Sequence, residues 1–174
     1  MIRKIDKNVH QISFQNFGSY VYLIQLENKN ILIDTSSPEN SEELISHLHE
    51  LNLSPTIINI VILTHHHWDH TGGIDLFPNA KFYASPKDFG ENFHDIHTLK
   101  IPELKIINTP GHSKGGICIL HKDILFSGDT LFHQGTIGRT DLPGGSMSEM
   151  KRSLEKISKL KFKTLLPGHG IDSD

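Results

Sequence analysis

Three histidines and one aspartate lie within six residues of this sequence, at His65, His67, Asp69 and His70. Imidazole and carboxylate groups are common ligands of zinc and other divalent ions in proteins. Side chains two residues apart in an extended segment point the same way, so His65 and His67 can converge on one ion. A turn at Trp68 would direct Asp69 and His70 towards a second ion. The spacing therefore indicates a two-metal site whose remaining ligands come from elsewhere in the chain.

Histidine accounts for 13 of the 174 residues, so further ligands are available along the chain. We expect them at polar positions that follow predicted strands and are flanked by glycine, since such loops line binding sites. Residues 109–113, 127–130 and 167–170 have this pattern. These segments contribute His112, Asp129 and His169 as candidate ligands.

Composition excludes several other classes of function. The 17 basic and 20 acidic residues give a net charge of −3, which argues against a nucleic-acid partner. Cys118 is the only cysteine and cannot form an internal disulfide bond. No segment approaches 18 apolar residues, and the N-terminus lacks the apolar core of a secretion signal. We predict a cytoplasmic protein without a membrane partner, folded as a single domain over residues 1–174.

Short strands and two amphipathic helices are predicted to position the candidate ligands. The first helix begins near Ser37, with Pro38 at its first position, and the second begins at a capping box formed by Ser146 and Glu149. Apolar runs and alternation predict strands at residues 9–14, 20–26, 31–33, 57–63, 81–84, 104–108, 116–120, 124–126 and 164–166. The segment containing His65 therefore leaves the end of a buried strand.

Taken together, these segments resemble the metallo-β-lactamase superfamily, whose motif is His-x-His-x-Asp-His followed by a distant His, an Asp and a last His. The resemblance implies an α/β fold, the four-layered αβ/βα sandwich of that superfamily. Asp34, which follows the strand at 31–33, matches an acidic position where a carboxylate orients the ligand loop. The resemblance also implies seven ligands, which are His65, His67 and His112 for one ion, Asp69, His70 and His169 for the other, and Asp129 as the bridge.

Within the superfamily, residues 129–132 and 138–145 resemble the glyoxalase II branch, which hydrolyses hydroxyacyl thioesters such as S-lactoylglutathione. Two divalent ions, zinc or alternatively iron or manganese, would share a hydroxide that attacks the thioester. Asp69 would accept or relay the proton. Arg139 matches a basic residue that meets the thiol portion of the substrate, although it could instead tether its own glycine-rich loop. No C-terminal helical substrate domain is expected, so smaller or different thioesters belong among the predicted small-molecule substrates.

Two other activities are compatible with the same motif. The Gly-Arg-Thr-Asp string at 138–141 also resembles persulfide dioxygenases, which would use a single iron ion held by His65, His112 and Asp129. A broad metallo-hydrolase, acting on lactones or β-lactams, is the other alternative. The number of bound metal ions and a screen of activities would separate these hypotheses. The sequence gives no indication of the oligomeric state.

Overall fold

The computed structural model describes residues 1–170 of the chain. It divides into two compact units, one comprising residues 1–63 and 67–83 and the other residues 64–66 and the described residues from 84 onwards. The single domain predicted from the sequence stays a prediction. Within residues 1–170, no helix is long and apolar enough to cross a membrane.

The first unit contains a sheet whose first six strands pair in chain order. β1 to β4 pair antiparallel, whereas β4, β5 and β6 pair parallel. The strands are β1 (Ile2–Asp6), β2 (Val9–Ile12), β3 (Val21–Leu26), β4 (Lys29–Ile33), β5 (Ile60–Ile62) and β6 (Lys81–Ala84). Two helices belong to this unit, α1 (Ser41–Glu50) and α2 (Trp68–Thr71). The carboxyl ends of β4 and β5 lie at the same edge because these strands are parallel.

The sequence did not predict β1, several strand ends are shifted by one or two residues, and two further elements differ more. Ser37 and Pro38 begin a single 3-10 turn at Pro38–Asn40 that precedes α1. The Ser37 hydroxyl makes no capping bond and donates to the Phe17 carbonyl at 2.7 Å. The strand predicted at 57–63 is shorter, since Pro55 starts another 3-10 turn at Pro55–Ile57. The observed strand therefore covers only the last part of the apolar run.

The second unit contains a sheet with the strand order β11-β10-β9-β8. Its helices are α3 (Pro86–Phe89) and α4 (Met147–Ile157), and its strands are β7 (His94–Asp95), β8 (Leu104–Asn108), β9 (Ile117–His121), β10 (Ile124–Gly128) and β11 (Thr164–Pro167). Cys118 lies in the core with Leu125 and Ile157. Complete burial raises the pKa of its thiol to about 11, so the thiol has little reactivity at neutral pH.

The strand directions of this second sheet determine where its loops emerge. β10 is parallel to β11, and the antiparallel strand β9 lies between β10 and β8. β8, β10 and β11 consequently run in one direction and end at the same edge. The three loops that carry the candidate ligands His112, Asp129 and His169 start at these three ends. α4 is fixed beside the first of these loops, since Ser146 N donates to the Gly111 carbonyl at 2.8 Å.

Candidate metal centre

The second unit brings four of the predicted ligands together. A ligand atom of His65 lies within 4.8 Å of one on His112 and within 4.8 Å of one on Asp129. The rings of His65 and His112 meet edge to face with their centroids 4.9 Å apart. His65, His112 and Asp129 are buried, and they line a small cleft of about 160 Å³, including the solvent at its mouth. His169, directly after β11, keeps about a quarter of its side chain exposed.

One carboxylate oxygen of Asp129 faces two imidazole nitrogens. Asp129 Oδ2 lies 3.4 Å from His112 Nε2 and 3.6 Å from His169 Nε2. Both distances exceed the usual 2.7–3.2 Å of a nitrogen–oxygen hydrogen bond. Two ligands that are each about 2.1 Å from a tetrahedral ion lie roughly 3.4 Å apart. The observed spacing therefore fits a carboxylate oxygen that shares cations with the two histidines.

A hydrogen bond at His112 Nδ1 determines which nitrogen of this ring carries the proton. The other nitrogen, Nε2, faces Asp129. His112 Nδ1 lies 2.7 Å from the main-chain carbonyl of Arg139, and a carbonyl oxygen can only accept. Nδ1 therefore carries the proton, and in the neutral ring Nε2 presents a lone pair towards the Asp129 oxygen. Two acceptors facing each other are stabilised by a cation between them. This donor set fits the divalent ions that the motif implies.

The first unit arranges Asp34 and His70 in a similar way. His70 is fully buried on α2, and its Nδ1 lies 2.7 Å from Asp34 Oδ2. The His70 carbonyl accepts from Thr35 N at 2.8 Å and from Thr35 Oγ1 at 3.1 Å. Both the main chain and the imidazole ring of His70 are therefore hydrogen-bonded. This is the carboxylate that the family resemblance places behind the ligand loop. It leaves His70 Nε2 available as a metal ligand.

Asp69 and His67, the remaining predicted ligands, also belong to the first unit. Asp69 is buried, and one of its carboxylate oxygens lies within 4.8 Å of a ring nitrogen of His70. Its main-chain carbonyl accepts from Ser19 N at 2.8 Å, which fixes α2 against the loop after β2. His67 occupies the position before α2, and its carbonyl accepts from Thr71 Oγ1 at 3.2 Å.

Sequence reasoning missed the main-chain role of the 138–139 segment. A Cβ atom on Gly138 would lie 2.0 Å from the Asp129 carbonyl and 2.9 Å from His112 Nδ1. Glycine is therefore required for the chain to pass between these two residues and bring the Arg139 carbonyl to His112. The Gly-Arg pair of the motif is the sequence signal for this main-chain contact. The sequence prediction assigned a role to the Arg139 side chain alone.

The Arg139 side chain is exposed and forms an ion pair within its own loop. Its Nε and Nη2 atoms donate to the two Asp141 carboxylate oxygens at 3.0 and 2.8 Å. The guanidinium group lowers the pKa of Asp141 to about 2, chiefly through these hydrogen bonds. The contact corresponds to the tethering alternative of the sequence analysis, while the exposed guanidinium remains accessible to a substrate.

Buried histidines and aspartates at the strand ends of this α/β chain form groups that could hold metal ions. The family model of the metallo-beta-lactamase superfamily matches residues 15–88 and 79–169, so the chain belongs to this superfamily. The predicted α/β fold of the metallo-β-lactamase type is thereby confirmed. Membership implies divalent metal ions and supports an enzyme of the metallo-hydrolase class.

Among curated proteins, a probable metallo-hydrolase of Methanocaldococcus jannaschii is 42% identical over 143 residues, covering 80% of this chain and 70% of the relative. A hydroxyacylglutathione hydrolase of Aeromonas hydrophila is 32% identical over 165 residues. That match covers 85% of this chain but only 59% of the hydrolase.

Two solved structures share the fold. ETHE1 from Myxococcus xanthus superposes with a TM-score of 0.76 at 27% identity, covering all of this chain and 77% of the other. BJP-1, a subclass B3 metallo-β-lactamase of Bradyrhizobium japonicum, has a TM-score of 0.74 at 20% identity and covers 97% of this chain and 77% of its own.

Gly138→Ala is expected to weaken metal binding. The added methyl group would push the 138–139 segment away from Asp129 and His112, and the Arg139 carbonyl would no longer hold the imidazole. We expect at least a ~10-fold loss in zinc affinity, measured by competition with a chelator. Gly135→Ala is the matched control, because Gly135 has a left-handed φ of 77° but no atom within 4 Å of the added methyl position. Equal zinc affinities for the two variants would contradict this role of Gly138.

Proposed function

We propose that this protein is a metal-dependent thioester hydrolase of the glyoxalase II type, acting on S-lactoylglutathione or a related hydroxyacyl thioester. The observation that carries the proposal is the 32% identity to a hydroxyacylglutathione hydrolase over 85% of the chain. The chain spans 59% of that relative's length, so the proposal includes thioesters whose thiol is smaller than glutathione. We place the reaction in the cytoplasm, with a small-molecule substrate and neither nucleic acid nor membrane as partner.

The proposed centre holds two divalent ions, preferably zinc, with iron or manganese as alternatives. The proposed ligand sets are His65, His67 and His112 for the first ion and Asp69, His70 and His169 for the second, with Asp129 shared. When bound, such an ion pair lowers the pKa of a water molecule towards about 7 and polarises a substrate carbonyl. The support from this chain is the pair of 3.4 and 3.6 Å contacts at one oxygen of Asp129.

The residues around the ligands prepare them for this role. The Asp34 carboxylate keeps the proton of His70 on Nδ1, and the Arg139 carbonyl does the same for His112. Ligand burial limits the access of bulk water, which strengthens electrostatic interactions in the site. We assign Asp69 the additional task of accepting or relaying the proton released during hydrolysis.

Arg139 is proposed to bind the thiol portion of the substrate. Its guanidinium group is about two-thirds exposed and is already oriented by Asp141. A planar guanidinium can bind a substrate carboxylate through two parallel hydrogen bonds. Since Asp141 occupies the same donors, substrate and aspartate would compete for Arg139.

A second candidate function is that of a persulfide dioxygenase. The 27% identity to ETHE1 over the whole chain favours it, as does the Gly-Arg-Thr-Asp string. Such an enzyme would need one iron ion, for which His65, His112 and Asp129 are the proposed ligands. The two candidates differ in metal count and in oxygen consumption, which can be measured with glutathione persulfide as substrate.

Protein saturated with zinc is expected to bind close to two ions per chain, as measured by elemental analysis. Asp129→Asn should weaken both sites together, since an amide carries no charge to offset two cations. The exposed Asp141→Asn variant is the control and should retain two ions. At most one ion in the wild type, with Asp69→Ala binding equally well, would contradict the two-metal centre. Iron alone in that case would favour the dioxygenase.

Arg139→Ala is expected to raise KM for S-lactoylglutathione about 10-fold while kcat changes little, because the interaction is made equally in the ground and transition states. Asp141→Asn removes the competing carboxylate and keeps the guanidinium, so its KM should stay equal or fall. Steady-state kinetics of both variants provides the measurement. If Arg139 only tethers its loop, both variants should impair the enzyme to the same extent.

Thioesters should be hydrolysed much faster than amides of the same acyl group. A thiol has a pKa near 8.5 and leaves as thiolate with little help, whereas an amine leaving group needs a proton donor. All five histidines of the motif are assigned to metal, so none is left as a general acid. The test compares kcat/KM for a lactoyl thioester and the matching amide, with at least a ~100-fold preference expected.

Equal kcat/KM values would show that the site contains a proton donor which the ligand assignment overlooks. His133 would then be the first residue to substitute, because it is exposed and lies in the loop after Asp129.

A further inference from the structure

Asp88 carries a buried carboxylate that the proposed reaction does not use. It lies on the short helix α3, and its side chain is only 1% exposed. A carboxylate removed from water needs several hydrogen-bond donors to remain stable. Sequence analysis gave no reason to select this residue, because it belongs to no recognised motif.

Three donors from two separate segments surround this carboxylate. Asp88 Oδ1 accepts from Gly115 N at 2.6 Å, and Oδ2 accepts from the Ser113 hydroxyl at 2.7 Å. His66 Nδ1 lies 3.2 Å from the same Oδ2. Ser113 is completely buried, so its hydroxyl cannot exchange this partner for water.

Two of the three partners of Asp88 are direct chain neighbours of proposed metal ligands. His66 follows His65, and Ser113 follows His112. A single carboxylate therefore connects the two segments whose imidazole rings meet with centroids 4.9 Å apart.

The hydrogen bond from Gly115 N to Asp88 requires a glycine at position 115. A Cβ atom there would lie 2.7 Å from Asp88 Cγ and 2.8 Å from the Ser85 hydroxyl, so any larger residue would separate the loop from α3. Ser85 caps the start of α3 by accepting from Lys87 N at 3.4 Å. The carboxylate is thus held on its own helix while it binds the two ligand segments.

His66 differs from its neighbour His65 in exposure and in partner. The His65 residue is buried, whereas the His66 imidazole is within 3.2 Å of the Asp88 carboxylate. The 40% exposure of the His66 side chain is consistent with a position outside the proposed ligand set.

We propose that Asp88 is a positioning residue that sets the spacing between the metal ligands His65 and His112. This proposal rests on the proposed metal centre but is independent of the substrate. The Asp88 carboxylate acts through the main chain of residues 65–66 and 112–115, and it touches neither the ligand atoms nor the substrate.

The test measures Co²⁺ binding rather than catalysis. Asp88→Asn keeps the size of the side chain but removes its charge and one acceptor oxygen. We expect at least a ~10-fold loss of cobalt affinity, measured by chelator competition, and a shift in the visible absorption bands of the bound ion. Ser113→Ala and His66→Gln each remove one contact and should each produce a smaller shift in the same bands. The exposed Glu91→Gln variant serves as the charge-matched control.

Thermal unfolding of each metal-free variant separates positioning from general stability. Wild-type cobalt affinity and absorption bands in Asp88→Asn, with only a lower unfolding temperature, would overturn the proposal. If Asp88→Asn fails to fold, wild-type affinity and bands in both Ser113→Ala and His66→Gln would also overturn it.

A direct ligand variant separates failure of this proposal from failure of the metal centre. His112→Ala should lose one of the two cobalt ions that the wild type is expected to bind. If it does so while the Asp88 variant binds normally, only the role of Asp88 is wrong. If His112→Ala binds cobalt like the wild type, the proposed ligand set is wrong, and the role of Asp88 is rejected with it.

Discussion

The contact of one Asp129 oxygen with two imidazole nitrogens is the constraint on which the second unit depends. Asp129 Oδ2 lies 3.4 Å from His112 Nε2 and 3.6 Å from His169 Nε2. The lone pair of His112 Nε2 and that of the carboxylate oxygen are unfavourable neighbours unless a cation lies between them. The strand order makes this arrangement accessible, since β9 runs antiparallel between β8 and β10 and thereby makes those two strands parallel. Three loops consequently leave one edge of a four-stranded sheet, and each needs only a few residues to deliver its ligand. The dense core beneath, including Cys118 and Leu125, keeps that edge rigid.

Several residues near the strand ends have unusual backbone conformations or pass very close to another segment. Asp34 and Ser36 have left-handed φ angles of 60° and 62°, which non-glycine residues adopt only when the surroundings compensate. The compensation for Asp34 is visible, because its N–H donates to the Ile62 carbonyl at 2.9 Å and its carboxylate binds His70. Gly128, with a φ of 49°, passes so close to Thr64 that a Cβ atom would lie 2.9 Å from the threonine side chain. Asp34 and Gly128 thus combine an unusual backbone conformation with a position beside a proposed ligand, His70 and Asp129 respectively.

Most of the elements could be predicted from sequence because their signals are local. The capping role of Ser146 is confirmed, since its hydroxyl accepts from Glu149 N at 3.3 Å. Ser37 lies at an N-cap position followed by Pro38, as predicted, but its hydroxyl forms no capping bond. It donates to the Phe17 carbonyl 20 residues away in the chain, which no local pattern reveals. Asp88 and the carbonyl of Arg139 were missed for the same reason. Main-chain acceptors carry no side-chain signature, and contacts between distant segments depend on a tertiary structure that periodicity does not encode.

The histidines differ in the group that lies within hydrogen-bond distance of their Nδ1 atom. This difference affects how strongly the opposite nitrogen, Nε2, would bind a metal. His70 donates to a carboxylate at 2.7 Å, whereas His112 donates to a neutral carbonyl at the same distance. The Thr64 hydroxyl lies 3.1 Å from His65 Nδ1. A carboxylate partner withdraws the ring proton more strongly than a carbonyl or hydroxyl does, and so makes the opposite nitrogen a better electron donor. In the proposed metal centre His70 would therefore donate more electron density to its cation than His112 would. The cation of His112 would then be the stronger Lewis acid, which would suit it to polarise a carbonyl.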